Sequence, residues 1–435
     1  MGLCHCFDCF KPSQLPSLKS AEQGDEDSEE DSSSDEVTPT AVSKPRERRI
    51  SQYHKFFQGH NVNELAFTQR LSTITNDRLI NFIELPLRIN LNEGTAEPSS
   101  WVTFRTPAEF FTSMGYRKLK ELGQGGFGTV FLVEKCVPLT TTGGKRPKSA
   151  KAVDDHFAYY QMACKVIMLP DDEDRSSRRQ FESLKAELYM LQGLRGKCAY
   201  VIEYYEHFVL RFKKAGSRIN YMMAHIFMEV ADAGSMVKEV EKKGPLSTDL
   251  ARRYFAEMSS GLEFLHRNRI SHNDFKLDNV LLVSDPKKRK LKHCKLTDFG
   301  MSAFAWKDGV GLLYSKHFMG TRSYMAPLVQ DKNSKTKSRQ EDYVPFSADI
   351  WSLGVSLYVM LTRKFPYQAP RNVEKLSAFL AQISKGVLTA KEAKQKFGTK
   401  LANLMCGMLE FDPSKRFTIA TVKSHEWLKT KARKT

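Results

Sequence analysis

The period of the hydrophobic pattern changes near Pro170, and this change constrains the fold more than any other feature of the chain. Before it, the short strand-like stretches YRKLKEL, TVFLVEK and MACKVIML are separated by a glycine-dense turn and by the polar segment TTTGGKRPKSAKAVDD, which we predict to be a loop. After it, apolar residues recur at the helical spacings of three and four: Phe181, Leu184, Leu188, Leu191 and Leu194. The sequence therefore predicts an α+β fold, with a strand-rich first half and a helix-rich second half.

Two more helices are predicted in the second half. One begins after Ser247, and its apolar stripe comprises Leu250, Tyr254, Phe255, Met258, Leu262 and Leu265. The other, SADIWSLGVSLYVMLT, is apolar almost all round, which indicates a helix buried in the centre of a helical lobe. Glu187 should lie on the buried face of the helix that follows Pro170, because it is three residues past Leu184 and four before Leu191.

Charge is distributed unevenly along the 435 residues. Residues 1–43 carry ten acidic and two basic side chains, whereas residues 44–435 carry 65 basic and 40 acidic ones, a net charge of +25. Such a basic body attracts phosphates, anionic lipid, acidic proteins or the acidic segment itself, unless its charges are simply solvated. We expect no nucleic-acid partner, because no basic motif with interleaved aromatic residues accompanies the charge.

The two ends of the chain differ from its centre in composition. AEQGDEDSEEDSSSDEVTPT holds almost no large apolar residue, so we predict a disordered, acidic and serine-rich tail over residues 1–50. Residues 51–115 show no sustained period and are interpreted as an ordered extension of uncertain structure, and residues 429–435 as a basic tail. Ser51, behind the basic RERRI, fits either a site for basophilic kinases or a solvated charge run.

The sequence predicts a cytoplasmic protein. No run approaches the roughly 18 consecutive apolar residues of a membrane span, and the N-terminus lacks a secretory signal. Cysteines scattered through core-like sequence fit reduced thiols better than disulfides: Cys136, Cys164, Cys198, Cys294 and Cys406.

The N-terminal MGLCHCFDC is a candidate membrane anchor. Gly2 fits N-myristoylation, although Cys6 stands where serine or threonine is preferred. Cys4, Cys6 and Cys9 are candidates for palmitoylation, and two lipid signals suffice for stable membrane association. The alternatives are a Cys/His metal cluster, for which the spacing is tighter than in the usual zinc patterns, and an end with no role.

The segment ELGQGGFGTV, residues 121–130, places Gly123, Gly125 and Gly128 between two strands. Glycine lets backbone amides approach phosphate oxygens, so the turn suits a nucleotide, and a tight structural hairpin is the alternative. Its strand-turn-strand setting argues against a dinucleotide fingerprint, whose glycines open a helix.

Lys165 lies in the middle of the apolar strand MACKVIML. A lysine at such a position either extends to solvent or needs an anionic partner. Glu187, on the buried face of the following helix, is the candidate partner.

Further along, ISHNDFKLDN holds Asp274, Lys276 and Asn279, and KLTDFG holds Asp298 at the end of a strand. Each carboxylate taken alone could cap a loop. Together and in this order, the glycine-rich loop, the strand lysine, the helix glutamate, D-x-K-x-x-N and D-F-G match the signature set of protein kinases. The sequence therefore resembles the eukaryotic protein kinases, which implies a bilobal protein kinase fold and a kinase domain over residues 116–428.

The resemblance implies ATP and Mg²⁺ as cofactors and assigns a role to each of four residues in the D-x-K-x-x-N and D-F-G motifs. Asp274 would accept the proton of the substrate hydroxyl, and Lys276 would offset charge on the transferring phosphoryl group. Asn279 and Asp298 would hold the metal ions.

The nucleotide pocket implied by the resemblance combines the glycine-rich loop with the hinge-like HIFMEVADAG. Lys165 would contact the α and β phosphates while it pairs with Glu187. Met228 would lie behind the adenine, with backbone groups of Glu229 and Ala231 at the edge of the base. The other expected nucleotide contacts are Leu122, Gly123, Gln124, Gly125, Gly126, Phe127, Gly128, Thr129, Val130 and Ala163.

The resemblance also indicates the substrate class. Lys276, two residues past Asp274, and Thr321 in GTRSYMAP are typical of serine/threonine kinases, and Met301 after D-F-G favours serine as the acceptor. YSKHFMGT, DIWSLGVSLYVML and DPSKRFTIATVKSHEWL are most similar to the calcium/calmodulin-dependent and AMP-activated group. Protein substrates are therefore expected, and the alternative is a pseudokinase scaffold that binds nucleotide or partner proteins without phosphotransfer.

Two positions depart from the family pattern. Asn273 replaces the arginine that usually binds an activation-loop phosphate, so phosphorylation of the nearby hydroxyls is not expected to be the main activating switch. Those hydroxyls belong to Ser302, Tyr314, Ser315 and Ser323. Leu328 replaces the glutamate expected to pair with Arg416, which must then find another acceptor or reach water. Asp349 in ADIWSLG resembles the helix residue that supports the catalytic loop.

Overall fold

The computed structural model of the protein describes residues 103–104, 110–111, 114–125, 128–138, 151–152, 157–169, 175–213, 220–285, 287–288, 291–307, 311–312, 320–327, 344–369 and 376–429. The acidic tail, the N-terminal glycine and cysteines, Ser51 and Leu328 lie outside these ranges, so the predictions made for them remain predictions. No helix within the described ranges is both long enough and apolar enough to cross a membrane.

The strand-rich part is one seven-stranded sheet with the order β1-β6-β7-β5-β3-β2 and with β4 paired to β5. Its strands are β1 (Thr103–Phe104), β2 (Tyr116–Gly125), β3 (Gly128–Pro138), β4 (Lys151–Ala152), β5 (Phe157–Leu169), β6 (Tyr204–Lys213) and β7 (Asn220–Met228). Helix α1 (Arg175–Leu194) follows β5, and its Leu184 and Leu188 share a core cluster with Ile226 of the sheet. The helical period after Pro170 thus places α1 against one face of the sheet.

The second half is mainly helical and follows β7. Its helices are α2 (Met236–Lys243), α3 (Thr248–Arg267), α4 (Pro345–Thr362), α5 (Leu376–Ile383), α6 (Ala390–Phe397), α7 (Thr399–Met408), α8 (Ile419–Ser424) and α9 (Glu426–Lys429). Between α3 and α4 lie the short strands β8 (Ile270–Ser271), β9 (Val280–Ser284), β10 (Lys292–Leu296), β11 (Ala303–Phe304), β12 (Trp306–Lys307) and β13 (Gly311–Leu312). The predicted α+β fold with a β-rich lobe and a helical lobe is confirmed.

Both predicted helices of the second half form where the sequence placed them. Ser247 caps α3, because its side chain accepts a hydrogen bond from the backbone N–H of Leu250. Almost every residue of α4 is buried, as expected for a helix that is apolar all round. α4 therefore forms the centre of the helical lobe, and its Asp349 bonds to the loop that follows β8.

The prediction that the whole of TTTGGKRPKSAKAVDD is a loop is wrong at Lys151 and Ala152, which form β4 against β5. β5 is also longer than the apolar stretch MACKVIML, since it begins at Phe157 and pairs with β3 up to Pro138. Backbone hydrogen bonding between neighbouring strands explains both differences, because a polar segment beside an extended hairpin still gains from pairing its N–H and C=O groups.

Part of the predicted extension belongs to the β-rich lobe. β1 pairs in parallel with β6. Phe110 and Phe111 are buried, and their rings lie 4.8 and 5.5 Å from the ring of His225 on β7. Phe110 also packs edge-on against Phe208 of β6, with ring centroids 5.4 Å apart. Aromatic residues that precede Tyr116 thus complete the second core cluster of the sheet.

Two buried histidines in this lobe should make its stability depend on pH. Burial lowers the pKa of His207 and of His225 from 6.5 to about 4. The folded state keeps both rings neutral while the unfolded chain takes up protons below pH 6.5, so the stabilisation present above that pH is lost as the pH falls towards 4. Between pH 6.5 and pH 5 we expect each ring to lower the free energy of unfolding by about 2 kcal/mol.

The variant His225→Phe keeps a buried ring but removes one titrating group. Urea unfolding at pH 7, 6 and 5 should show a fall in stability that is about 2 kcal/mol smaller for this variant than for the unsubstituted protein. Equal falls for the two proteins would contradict the assignment.

Candidate active site

The sheet register brings several predicted nucleotide contacts into neighbouring rows. Gly123 of β2 pairs with Val130 of β3, and Val130 pairs with Lys165 of β5. Two positions along β5, Ala163 pairs with Met228 at the end of β7. Gly126 and Phe127, at the tip of the glycine-rich turn, lie outside the described residues. Residues from three separate segments therefore lie on one part of the sheet, next to the residues that follow β7.

The local surroundings explain why glycine is needed at position 128 but not at position 123. Gly128 has a φ of +138°, and a Cβ at this position would lie 2.2 Å from the carbonyl oxygen of Val166. Close packing of β3 on β5 therefore requires glycine at 128, whatever it does for a ligand. At Gly123 a Cβ would meet nothing within 4 Å, so packing does not explain that glycine and the space beside it is open.

Lys165 is buried at the centre of the sheet and contacts two carboxylates. Its Nζ lies 2.6 and 2.9 Å from the two oxygens of Glu187 on α1, and 3.4 Å from Oδ1 of Asp298. The structure thus brings together Lys165 and the glutamate that the helical period placed on the buried face of α1. Asp298, which is 133 positions after Lys165 in the chain, also contacts the Lys165 ammonium group.

The charges of this cluster support one another. Burial opposes the charged form of Lys165, but the attraction of Glu187 and Asp298 outweighs it and raises the pKa of the ammonium group. Burial and the charge of Asp298 push the pKa of Glu187 upwards, and Lys165 opposes that shift. Lys165 is therefore held as a cation beside the candidate metal-binding carboxylate.

Asp298 follows β10 in a left-handed backbone conformation, with a φ of +64°. The Oγ of Ser183 on α1 donates a hydrogen bond of 2.9 Å to the carbonyl oxygen of Gly300. This bond fixes the D-F-G segment to the helix that carries Glu187. No sequence pattern indicates this contact, because a serine on a helix has many ordinary roles.

Asp274 accepts hydrogen bonds on both carboxylate oxygens. The Nζ of Lys276 lies 2.7 Å from its Oδ2, while the backbone N and Oγ1 of Thr321 lie 2.8 and 2.9 Å from its Oδ1. Lys276 also donates to Thr321 Oγ1 at 2.9 Å. A carboxylate held in this way by a cation and a hydroxyl has a fixed orientation and can accept a proton from a hydroxyl group brought beside it.

Asn279 connects this cluster to the D-F-G segment. Its side-chain Nδ2 donates to the main-chain carbonyl oxygen of Asp274 at 2.9 Å, and its main-chain carbonyl oxygen accepts from the backbone N of Thr297 at 3.0 Å. Since the side-chain nitrogen of Asn279 bonds to Asp274, the side-chain Oδ1 remains for a cation. Mg²⁺ prefers oxygen ligands, so Asn279 and Asp298 have the donor chemistry that the ion requires.

Asp349 on α4 supports the catalytic loop, residues 272–279, through hydrogen bonds to its backbone. Its Oδ2 accepts from the backbone N of His272 at 2.8 Å and lies 2.9 Å from Nε2 of His266, and its Oδ1 accepts from the backbone N of Asn273 at 2.9 Å. Asp349 is 1% exposed, so its carboxylate oxygens bond to these donors and not to solvent water. The contribution of His266 was not expected, since a histidine near the end of an amphipathic helix is usually a core or surface residue.

Asn273, at the position where the family has an arginine, contacts the residue that follows D-F-G. It has a φ of +63°, which asparagine tolerates better than most residues, and its Nδ2 donates to the carbonyl oxygen of Met301 at 2.9 Å. The bond joins the catalytic loop directly to the residue after D-F-G.

Arg416 has found other acceptors, as expected from the loss of the family glutamate. Its guanidinium donates to the carbonyl oxygens of Glu410, Phe411 and Ser347 at 2.8, 3.0 and 2.9 Å. The Cζ of the same group lies 5.1 Å from the ring centroid of Trp351, which is a cation–π contact. Arg416 is 2% exposed and therefore has little freedom to turn towards a new partner.

We expect that Leu328→Glu will not raise the melting temperature, because the guanidinium of Arg416 is already bonded. Thermal unfolding of Leu328→Glu beside Leu328→Gln, which has the same shape without the charge, provides the measurement. A melting temperature clearly higher for the glutamate variant than for the glutamine variant would show that the ion pair can still form.

Comparisons with known proteins find similarity to protein kinases. The protein kinase domain model matches residues 116–428. The serine/threonine-protein kinase SAPK3 of Oryza sativa subsp. indica is 30% identical over 314 residues, which cover 72% of this chain and 77% of that protein. SRK2F of Arabidopsis thaliana is 30% identical over 219 residues, and SAPK4 of Oryza sativa subsp. japonica is 33% identical over 226 residues, with half of this chain covered in each case. These two matches cover 57% and 56% of the relatives.

The family match spans both lobes, from Tyr116 at the start of β2 to Leu428 in α9, and includes the glycine-rich loop, the strand lysine, the helix glutamate, D-x-K-x-x-N and D-F-G. The chain belongs to the protein kinase family.

Proposed function

We propose that the protein transfers the γ-phosphoryl group of ATP, with Mg²⁺, to serine or threonine hydroxyls of protein substrates. The observation that carries the proposal is the orientation of Asp274, whose two oxygens are held by Lys276 and Thr321. The family match and the serine/threonine kinases among the relatives support the same activity. A pseudokinase scaffold finds no support in the described residues, since each charged group that the motifs require is present and paired.

The residue roles follow from the contacts. Asp274 accepts the proton of the acceptor hydroxyl, and Lys276 remains beside it to compensate negative charge that develops on the phosphoryl oxygens. Bound Mg²⁺ would neutralise phosphate charge, and Asp298 with Asn279 would hold it. Lys165, kept cationic by Glu187, would bind phosphate oxygens. Most of the catalysis is then positioning and electrostatic stabilisation.

The test is phosphorylation of a degenerate peptide library with Mg²⁺ and ATP, scored separately for serine, threonine and tyrosine acceptors. Transfer to serine and threonine but not to tyrosine is expected, with serine preferred because Met301 follows D-F-G. Nucleotide binding without any transfer would favour the scaffold.

The kinase should not depend on activation-loop phosphorylation, because Asn273 already joins the catalytic loop to Met301. We expect the triple variant Tyr314→Phe, Ser315→Ala and Ser323→Ala to keep kcat within about threefold of the unsubstituted enzyme. Ser302 is left unchanged in this design, because its Oγ donates to the carbonyl oxygen of His272 and is part of the fold.

Phosphatase treatment of the unsubstituted enzyme is the matched control and should likewise leave kcat unchanged. Loss of activity in the triple variant that is restored by aspartate at the same positions would disprove independence from phosphorylation.

The similarity of DIWSLGVSLYVML and DPSKRFTIATVKSHEWL to the calcium/calmodulin-dependent and AMP-activated group supports a finer assignment to that group. The peptide library tests it through the preferred residues around the acceptor. The proposed organisation is a kinase domain over residues 116–428 that follows a tail and an extension. β1, Phe110 and Phe111 are described parts of the extension that belong to the β-rich lobe.

Membrane association through the N-terminus is supported by Gly2 and the neighbouring Cys4, Cys6 and Cys9. Fractionation of cells that express Gly2→Ala, beside the unsubstituted protein, tests the anchor. The variant should leave the membrane pellet, and its persistence there would argue against acylation. If the unsubstituted protein is itself absent from the membrane pellet, the proposed location is cytoplasmic without an anchor.

A further inference from the structure

The segment after β7, residues 229–231, is the proposed hinge, where the edge of adenine would bind. Its first residue, Glu229, has a side chain that none of the proposed roles uses. Oε1 of Glu229 lies 2.6 Å from Nζ of Lys295 on β10 and accepts the backbone N–H of Glu203 at 2.7 Å. The side chains of Lys295 and Glu229 are 16% and 17% exposed, so the ion pair is largely shielded from water.

The side-chain carboxylate of Glu229 accepts a hydrogen bond that a main-chain carbonyl accepts in a regular sheet. The backbone N of Glu229 donates to the carbonyl oxygen of Glu203 at 2.9 Å, which continues the ladder between β6 and β7 by one residue. In a regular antiparallel pair the N–H of Glu203 would in turn donate to the main-chain carbonyl of Glu229. Here that N–H donates to the side chain, so this ladder position does not use the Glu229 carbonyl.

The same region is tied to the strand that leads to the candidate metal site. Leu296, next to Lys295 on β10, donates its backbone N–H to the carbonyl oxygen of Tyr200 at 2.8 Å and accepts from the backbone N of Ile202 at 2.9 Å. The segment before β6 is therefore bonded to β10 on one side and to Glu229 on the other. Asp298 follows Leu296 by two positions.

We infer that Lys295 is a positioning residue for nucleotide binding, because its ion pair fixes the Glu229 carboxylate on Glu203 N–H and so keeps the hinge carbonyl directed at the adenine. The inference rests on the proposed placement of adenine at residues 229–231. Lys295 does not itself contact the phosphates or the metal ions. Its effect should therefore fall on recognition of the base and not on the chemical step.

The experiment compares Lys295→Met with Lys292→Met. Lys292 lies on the same strand and makes the same kind of ion pair, with its Nζ 2.7 Å from Oε2 of Glu239, but that pair is with α2 and not with the hinge. The affinities of adenosine and of tripolyphosphate are measured by displacement of a fluorescent ATP analogue, and KM and kcat are measured in parallel.

Lys295→Met should weaken adenosine binding and raise the KM for ATP by about fivefold. It should leave tripolyphosphate binding, the KM for peptide and kcat at saturating ATP within about twofold. Lys295→Arg should restore adenosine binding, and Lys292→Met should change none of these values. If Lys295→Met does not fold, Lys295→Gln is measured in its place.

A double variant separates positioning from general stabilisation. Glu229→Gln keeps an acceptor for Glu203 N–H but removes the charge, so adding Lys295→Met to it should weaken adenosine binding no further. Additive losses, or equal losses of adenosine and tripolyphosphate binding, would overturn the inference while the proposed kinase activity stands. Failure of adenosine to displace the analogue from the unsubstituted protein would overturn both the inference and the proposed adenine site.

Discussion

Replacing Asp274 by asparagine should lower kcat for peptide phosphorylation by about 10²- to 10⁴-fold, the range typical of a positioned proton-transfer group. Asparagine has the same shape and can still accept the backbone N–H of Thr321, so the loop should keep its conformation. It has no basic oxygen to receive the hydroxyl proton, and it no longer pairs with the charge of Lys276. The loss should therefore appear in the chemical step.

The measurement is single-turnover phosphorylation with saturating ATP and peptide, beside the affinity for ATP. The affinity should stay within about threefold, because the bonds of Asp274 described above run to Lys276, Thr321 and Asn279 and not to the Lys165 cluster. Asp278→Asn, an exposed carboxylate in the same loop, is the matched control and should keep kcat within about threefold. Equal activity of Asp274→Asn and the unsubstituted enzyme would remove the basis of the proposed mechanism.

Asp349→Ala is expected to have the largest effect on stability. The substitution leaves the buried donors of His266, His272 and Asn273 without their acceptor. Breaking a buried charged network of this kind costs about 3 to 5 kcal/mol of unfolding free energy. Since the same bonds hold the loop that carries Asp274, kcat should also fall in the fraction of protein that remains folded.

Urea unfolding at low temperature measures the loss of stability, and Asp349→Asn should show a smaller loss because one acceptor oxygen remains. Ser356→Ala is the control, since Ser356 is buried in the same helix and its hydroxyl bonds only to the carbonyl of Ser352 among the contacts described. It should cost about 1 kcal/mol. A similar loss in Ser356→Ala and Asp349→Ala would mean that the loop does not depend on Asp349.

Much of the local structure could be predicted because it depends on period and on neighbouring residues. The spacing of apolar residues placed Glu187 on the buried face of α1, where it meets Lys165. The Ser247 cap and the buried α4 followed from composition in the same way. Asp274, Lys276 and Asn279 lie in one short loop, so their proximity was certain before any fold was known.

Other features could not be predicted, because they join segments far apart in the chain. The burial of Phe110 and Phe111 depends on the face of the sheet that His225 presents to them. The loop assignment failed at Lys151 because pairing with β5 outweighs the polar composition of the segment. The pairing of Lys295 with Glu229 requires β10 and the end of β7 to meet, which neither stretch indicates alone.

The sequence alone determined which residue types stand in the kinase motifs, and in what order, because those motifs are local and each holds its own side chains close together. Only the tertiary structure decided how the groups are oriented: Asp274 against Thr321, Asp298 against Lys165, and Asn273 against Met301. Hydrogen bonds and ion pairs depend on distance and angle within a few tenths of an ångström, and these are fixed only when the lobes have packed.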